Sequence, residues 1–253
     1  MLGIRSRLRP MVRVETLVLV ITLWLVATAN GAWWRAVGNG RDWSQPANWL
    51  FIVCCFIALA GLHFALIVPF AFRRVVRPLL TLLVVVSAAA AWYMGTYAVM
   101  LDPTMIRNVL RTDVHEAREL LNVSMAGWVL AWSLLPVAFI WLVRIQRQPA
   151  LRALVWRAGM VAAAFVVAIL ATLAISRDMT SFMRNEREAR YLITPGNYLY
   201  GLAVNSVQRV EDRNAVRETV GAASHLASMG KDFDTLKARV EALEKKLQAL
   251  LQR

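Results

Sequence analysis

Apolar residues in this chain are gathered into blocks of about twenty, the length a helix needs to cross a bilayer, and short polar stretches separate them. Five blocks stand out, at roughly Val14–Trp34, Trp49–Phe72, Leu79–Met100, Val123–Val143 and Ala158–Ile175. Lipid offers no partner to an open backbone, so each block is expected to be a helix. The first follows a basic start and shows no clear cleavage site, which predicts a retained signal-anchor helix. The fold class expected is all-α: an integral membrane bundle of five transmembrane helices over residues 1–175.

Two polar stretches have a helical period of their own. Between the third and fourth blocks, Asp102-Pro103 marks a helix start, with Asp as cap and Pro in the first turn. From there Ile106, Leu110, Val114, Ala117 and Leu121 fall on one face, while Thr104, Asn108, Thr112, Glu116 and Glu119 fall on the other. This predicts an amphipathic interfacial helix over 102–122. Residues 176–220 form a juxtamembrane segment without a spanning block. Gly221–Gly230, "GAASHLASMG", has the composition of a linker. After it, Phe233, Leu236, Val240, Leu243, Leu247 and Leu250 repeat at spacings of three and four. That is a heptad seam of about two and a half repeats. The seam over 233–250 fits either a self-associating coiled coil or an amphipathic helix docked on a partner.

Charge adds orientation. The chain has a net charge of +13 and is 58% hydrophobic. In a soluble protein this charge would suggest nucleic acid. Here much of the excess sits in short arginine-rich segments beside apolar blocks, so no nucleic acid partner is expected. Arg5, Arg7, Arg9 and Arg13 precede the first block. Arg73, Arg74 and Arg77 fill the second turn, and Arg144, Arg147, Arg152 and Arg157 lie between the fourth and fifth blocks. These segments alternate with the rest, which predicts a cytoplasmic N-terminus and a periplasmic C-terminus in a bacterial inner membrane. Trp33, Trp34, Trp43, Trp49, Trp92 and Tyr93 fall near the predicted outer boundary, where aromatic belts form. Cys54 and Cys55, adjacent and within an apolar block, read as small apolar fillers.

Asn108, Thr112 and Glu116, four residues apart, stack an amide, a hydroxyl and a carboxylate on one helix face. Periodicity alone is satisfied by a solvated face. The same chemistry suits a zwitterionic lipid headgroup, with Glu116 for the ammonium and Asn108 and Thr112 donating to phosphate oxygens.

Two quoted stretches favour the headgroup. "YMGTYAVMLDPTMIRNVLRTDVHEARELL" (Tyr93–Leu121) and "FMRNEREARYLITPGNYLYG" (Phe182–Gly201) resemble segments of the lipid A phosphoethanolamine transferases, the family that includes the mobile colistin-resistance enzymes. The resemblance covers roughly residues 14–210. It implies an interfacial helix on which Asn108, Thr112 and Glu116 help to hold the phosphatidylethanolamine donor. It also implies a periplasmic catalytic domain with a zinc ion and a threonine nucleophile in a Gly-Glu-Thr-Ala-Arg motif. That motif does not occur in this chain; the nearest string is Arg217-Glu218-Thr219-Val220. The three histidines, His63, His115 and His225, stand apart, and no zinc-ligand spacing accompanies them. The expectation is therefore a membrane domain that binds donor lipid, with no cofactor of its own and no catalysis alone.

Four further features stand out, two of them with two readings each. Asn30, near the end of the first block, either bridges helices or faces a substrate cavity. His63 is expected to pack between helices. Arg184, Arg187 and Arg190 either bind lipid A phosphates or form a hydrated basic segment, and Tyr191, Tyr198 and Tyr200 are expected to anchor that segment at the interface. Against the lipid-binding reading stands a second function class, a non-enzymatic scaffold assembled through its C-terminal heptads.

Overall fold

The computed structural model describes residues 10–112 and 122–251. The chain divides into two compact units, residues 1–202 and 203–253. In the first unit the helices are α1 (Val14–Thr28), α2 (Gly31–Gly38), α3 (Pro46–Ile67), α4 (Val76–Tyr97), α5 (Pro103–Arg111), α6 (Val123–Leu142), α7 (Ala150–Ala174) and α8 (Ser176–Asn185). Short 3-10 turns follow α3 at Val68–Phe70 and α8 at Arg187–Leu192. The last helix, α9 (Gly196–Leu251), begins in the first unit and makes up most of the second.

Pro46–Phe70, Val76–Tyr97, Val123–Leu142 and Leu151–Ala174 are each long and apolar enough to span a membrane. The first predicted block differs. It is not one straight helix but α1 and α2, bent by 56° at a short break, and it completes five spans only if that pair is counted as one. The break falls at Ala29-Asn30, where Asn30 turns its side chain to backbone groups instead of continuing the ladder.

Helix boundaries follow local chemistry. Pro46 starts α3 in its first turn, where no amide is needed. Pro69 tightens the far end of that span into the 3-10 turn. α4 closes on Ala98 in the left-handed region at φ 51°. Asn122 caps α6 by accepting from the Met125 amide at 2.7 Å. α7 starts eight residues before the predicted fifth block. Arg152 and Arg157 therefore belong to its first turns, not to a loop. Nothing in Leu151–Arg157 breaks a helix, and leucine, alanine and arginine all favour one.

Two apolar clusters hold the bundle. One joins α1, α4, α5, α6 and the start of α9 through residues such as Leu17, Ile21, Leu80, Met94, Ile106 and Ile140. The other joins α1 and α2 to α3 and α7 through Val26, Trp33, Phe51, Cys55 and Ala171. Both cysteines are free and buried, as fillers should be. The α3–α7 contact is close because Gly61 has no side chain: a Cβ there would stand 2.9 Å from the Ala164 carbonyl oxygen. Trp33 and Trp92 are buried, unlike the exposed pair Trp43 and Trp49. Trp33 meets Phe182 edge-on at 5.5 Å, so it serves packing more than an interfacial belt.

One feature of the fold has no counterpart in the sequence reading. Met11–Val12 pairs in parallel with Arg144–Ile145, tying the N-terminal arm to the end of α6. Beside this ladder Arg157 Nε donates to Glu15 Oε1 at 2.8 Å, and Arg77 Nη2 donates to the Val143 carbonyl at 2.8 Å.

In the second unit the described backbone is helical through Leu251, including Gly221–Gly230, where the sequence predicts a linker. Glycine lowers helix propensity without forbidding the conformation, and the alanines among them favour it.

Candidate functional site

The site is built on α5 and on the segment from Arg187 to Gly201. α5 begins as predicted: the Asp102 carboxylate accepts from the Met105 amide at 2.7 Å, and Pro103 occupies the first turn. Ile106 faces inward and is buried. It lies against Gly201, where a Cβ would meet Ile106 Cγ1 at 2.6 Å. Only glycine lets α9 and α5 approach this closely.

The same segment is tied to the α1–α2 break. Asn30 is fully buried; its Nδ2 donates to the carbonyls of Leu25 at 3.0 Å and Thr194 at 2.9 Å. Its Oδ1 accepts from the Thr194 amide at 2.7 Å. Of the two readings of Asn30, the structure selects the bridge. Asn197 adds a second clasp, donating to the Tyr191 carbonyl at 2.9 Å and to Thr194 Oγ1 at 3.2 Å. Tyr198, expected at the interface, is instead buried beside Ser87 of α4, 3.1 Å from its hydroxyl. Burial pushes the Tyr198 hydroxyl up to about 12, a rise that the Ser87 hydrogen bond partly opposes. Tyr200 is exposed, and Tyr191 carries the Arg190 guanidinium over its ring at 4.7 Å.

Asn108 lies on the exposed side of the last turn of α5. The helix ends at Arg111, and Thr112 leaves it with ψ 130°. The predicted helix to residue 122 is thus interrupted at Thr112. Glu116, with the rest of 113–121, lies outside the described residues. Thr112 turns back on Asn108: its amide and its hydroxyl both donate to the Asn108 carbonyl, at 2.9 and 2.8 Å. The hydroxyl proton is therefore committed, and the lone pairs of Thr112 remain to accept. Leu110, expected on the apolar face of this interfacial helix, is half exposed, while Ile106 is covered by protein.

Arg184 on α8 and Arg187 and Arg190 in the 3-10 turn are all exposed. The structure joins the 3-10 turn to α2 and the start of α9 to α5, and so gathers the predicted elements at one end of the bundle. His63 packs inside, with Nδ1 2.7 Å from the Leu59 carbonyl. Sequence reasoning passed over Thr194, Asn197, Ser87 and Gly201, although all but Ser87 lie in the second quoted stretch. It also passed over Glu15, whose acid within an apolar block was a visible signal.

Residues 59–210, well over half of the chain, match the family described as phosphoethanolamine transferase EptA/EptB. The chain belongs to this family. It is 25% identical over 200 residues to the phosphatidylethanolamine transferase Mcr-2 of Escherichia coli, covering 79% of this chain and 36% of Mcr-2. Against Mcr-1 of the same species the identity is 24% over 205 residues, covering 81% of this chain and 38% of Mcr-1. Its fold is similar to the integral membrane protein lipooligosaccharide phosphoethanolamine transferase A (EptA) from Neisseria meningitidis, with a TM-score of 0.71 and 21% identity over 81% of this chain and 38% of that one. The chain thus spans a little over a third of the length of these relatives.

Proposed function

We propose that this chain is the membrane domain of a phosphoethanolamine transferase acting on lipid A in the bacterial inner membrane, and that it holds the headgroup of the phosphatidylethanolamine donor. The observation that carries the reading is α5: a capped helix, seated through Ile106 on the start of α9, that leaves Asn108 exposed on its outer side. Asn108 donates to phosphate oxygens. Thr112, its proton turned to the Asn108 carbonyl, accepts from the ammonium together with Glu116. Arg184, Arg187 and Arg190, exposed at the same end, take the phosphates of lipid A. The arginines of the N-terminal arm, the α3–α4 turn and the α6–α7 turn support a cytoplasmic N-terminus, with α5 on the periplasmic side. Transfer itself falls to a zinc-bearing catalytic domain such as the family resemblance implies; among the described residues no group of three or more His, Cys, Asp or Glu could hold a metal ion beside a nucleophile. Adding a cationic group to lipid A lowers its attraction for cationic peptides, which links the activity to polymyxin resistance.

Binding of phosphatidylethanolamine to the chain in nanodiscs tests the reading. Asn108→Ala combined with Glu116→Ala should weaken binding about tenfold, the loss of one or two charge-assisted hydrogen bonds. Unchanged affinity would remove the site from α5.

A further inference from the structure

The second unit carries an unpartnered apolar stripe. Met229, Phe233, Leu236, Val240 and Leu243 are each more than half exposed. The sequence limits this seam to about two and a half heptads, because it reads Gly221–Gly230 as a linker. The continuous helix removes that limit. Counting back by sevens from Phe233 places Leu226 and Thr219 in the same register, and from Leu236 it places Met229 and Ala222. The seam then runs from Thr219 to Leu250, more than four heptads. Gly221 and Gly230 each cost such a helix about 1 kcal/mol relative to alanine. A long helix with these glycines and an exposed stripe needs stability from a partner.

We propose that the partner is a second copy of this chain, its α9 lying parallel to the first. The flanking charges support this. With Phe233 and Val240 at the a position and Leu236 and Leu243 at d, Asp232 and Arg239 fall at g, and Lys237 and Glu244 fall at e. In a parallel pair each g residue faces the e residue five positions on in the partner. Asp232 then meets Lys237 of the second copy, and Arg239 meets Glu244, so both pairings are attractive. Valine at a with leucine at d favours two strands over three or four. The membrane enforces the same direction, since two copies inserted alike send their tails out on the same side. The proposal concerns residues 203–253 and stands whether or not α5 binds a headgroup.

The test uses the full chain in detergent micelles. Light scattering of the unmodified protein should give a dimer, and a monomer at all concentrations would overturn the proposal. Oxidative crosslinking then reads the geometry in a background of Cys54→Ala and Cys55→Ala. Leu236→Cys and Thr219→Cys, on the seam, should crosslink efficiently, while Ala238→Cys and Arg217→Cys, on the outer face, should not. Equal crosslinking on both faces would overturn the register, and crosslinking at 236 without 219 would return the seam to its shorter form. Arg239→Glu should weaken the dimer about tenfold, because both copies of the pair turn repulsive, and adding Glu244→Arg should restore it. Failure of that rescue would rule out the parallel pairing.

Discussion

Gly201 shows how one absent methyl group lets two helices meet. The Cα of Gly201 lies against Ile106, and the added Cβ of an alanine would stand 2.6 Å from Ile106 Cγ1 and 3.1 Å from its Cβ. Isoleucine is branched at Cβ and buried here, so it cannot swing aside. Gly201→Ala must push α5 outward, at about 1–3 kcal/mol, the usual cost of overpacking. The gain in helix propensity from glycine to alanine, about 1 kcal/mol, offsets only part of this. Thermal unfolding in detergent should show Gly201→Ala below the parent, while Gly201→Ala with Ile106→Ala should lie close to Ile106→Ala alone. Additive losses would mean that the two residues do not clash. Headgroup binding should fall in the single variant, because Asn108 moves with the helix.

At the scale of elements, the first span depends on its bend, and the bend depends on Asn30. The Asn30 side chain makes three buried hydrogen bonds, two of them to the backbone of Thr194. Asn30→Ala leaves the Thr194 amide without its partner, at about 2–3 kcal/mol. Asn30→Asp separates the donors from the acceptor. It keeps an oxygen for the Thr194 amide but sets a carboxylate against the carbonyls of Leu25 and Thr194. It should unfold at a temperature no higher than the alanine variant; near-parent stability would show that the donor contacts are expendable. Element type was legible from the apolar blocks because lipid permits little but helix. The Asp102 cap was legible because capping is local. The bend was not, since it depends on Thr194, 164 positions away. The same holds for Tyr198, whose partner Ser87 sits on another helix and offers no periodic signal. Thr112 shows a different limit: a stack of four-residue spacings presumes an unbroken helix, and the backbone leaves the helix at Thr112.

At the scale of the first unit, the bundle is fastened at both ends, and the two fastenings differ in chemistry. At the α5 end neutral amides and hydroxyls bond to backbone. At the other end a two-residue ladder joins the N-terminal arm to the end of α6, and one ion pair joins α1 to α7. The Glu15 side chain is 3% exposed and that of Arg157 is 13% exposed. Glu15 Oε2 has no partner among the described residues, so the carboxylate depends on Arg157 for its neutralisation. α7 is otherwise largely uncovered by protein along its length and meets α3 through the small residues at Gly61, Ala164 and Ala168. The ion pair therefore ties the start of α7 to the start of α1. Removing the cation alone should be the costly change: Arg157→Met strands a buried carboxylate, at about 3–5 kcal/mol. Glu15→Leu added to Arg157→Met removes the stranded charge and should recover most of that loss, since a buried pair adds little over a well-packed apolar one. A double-mutant cycle on thermal unfolding, in detergent at fixed salt, measures the coupling directly. If the double variant is as unstable as the sum of the singles, the pair acts through separate packing roles, Arg157 on the Phe72 ring and Glu15 within α1. If it recovers, the charges add little to stability over an apolar pair, and the donor-lipid binding proposed for α5 should be retained in the double variant.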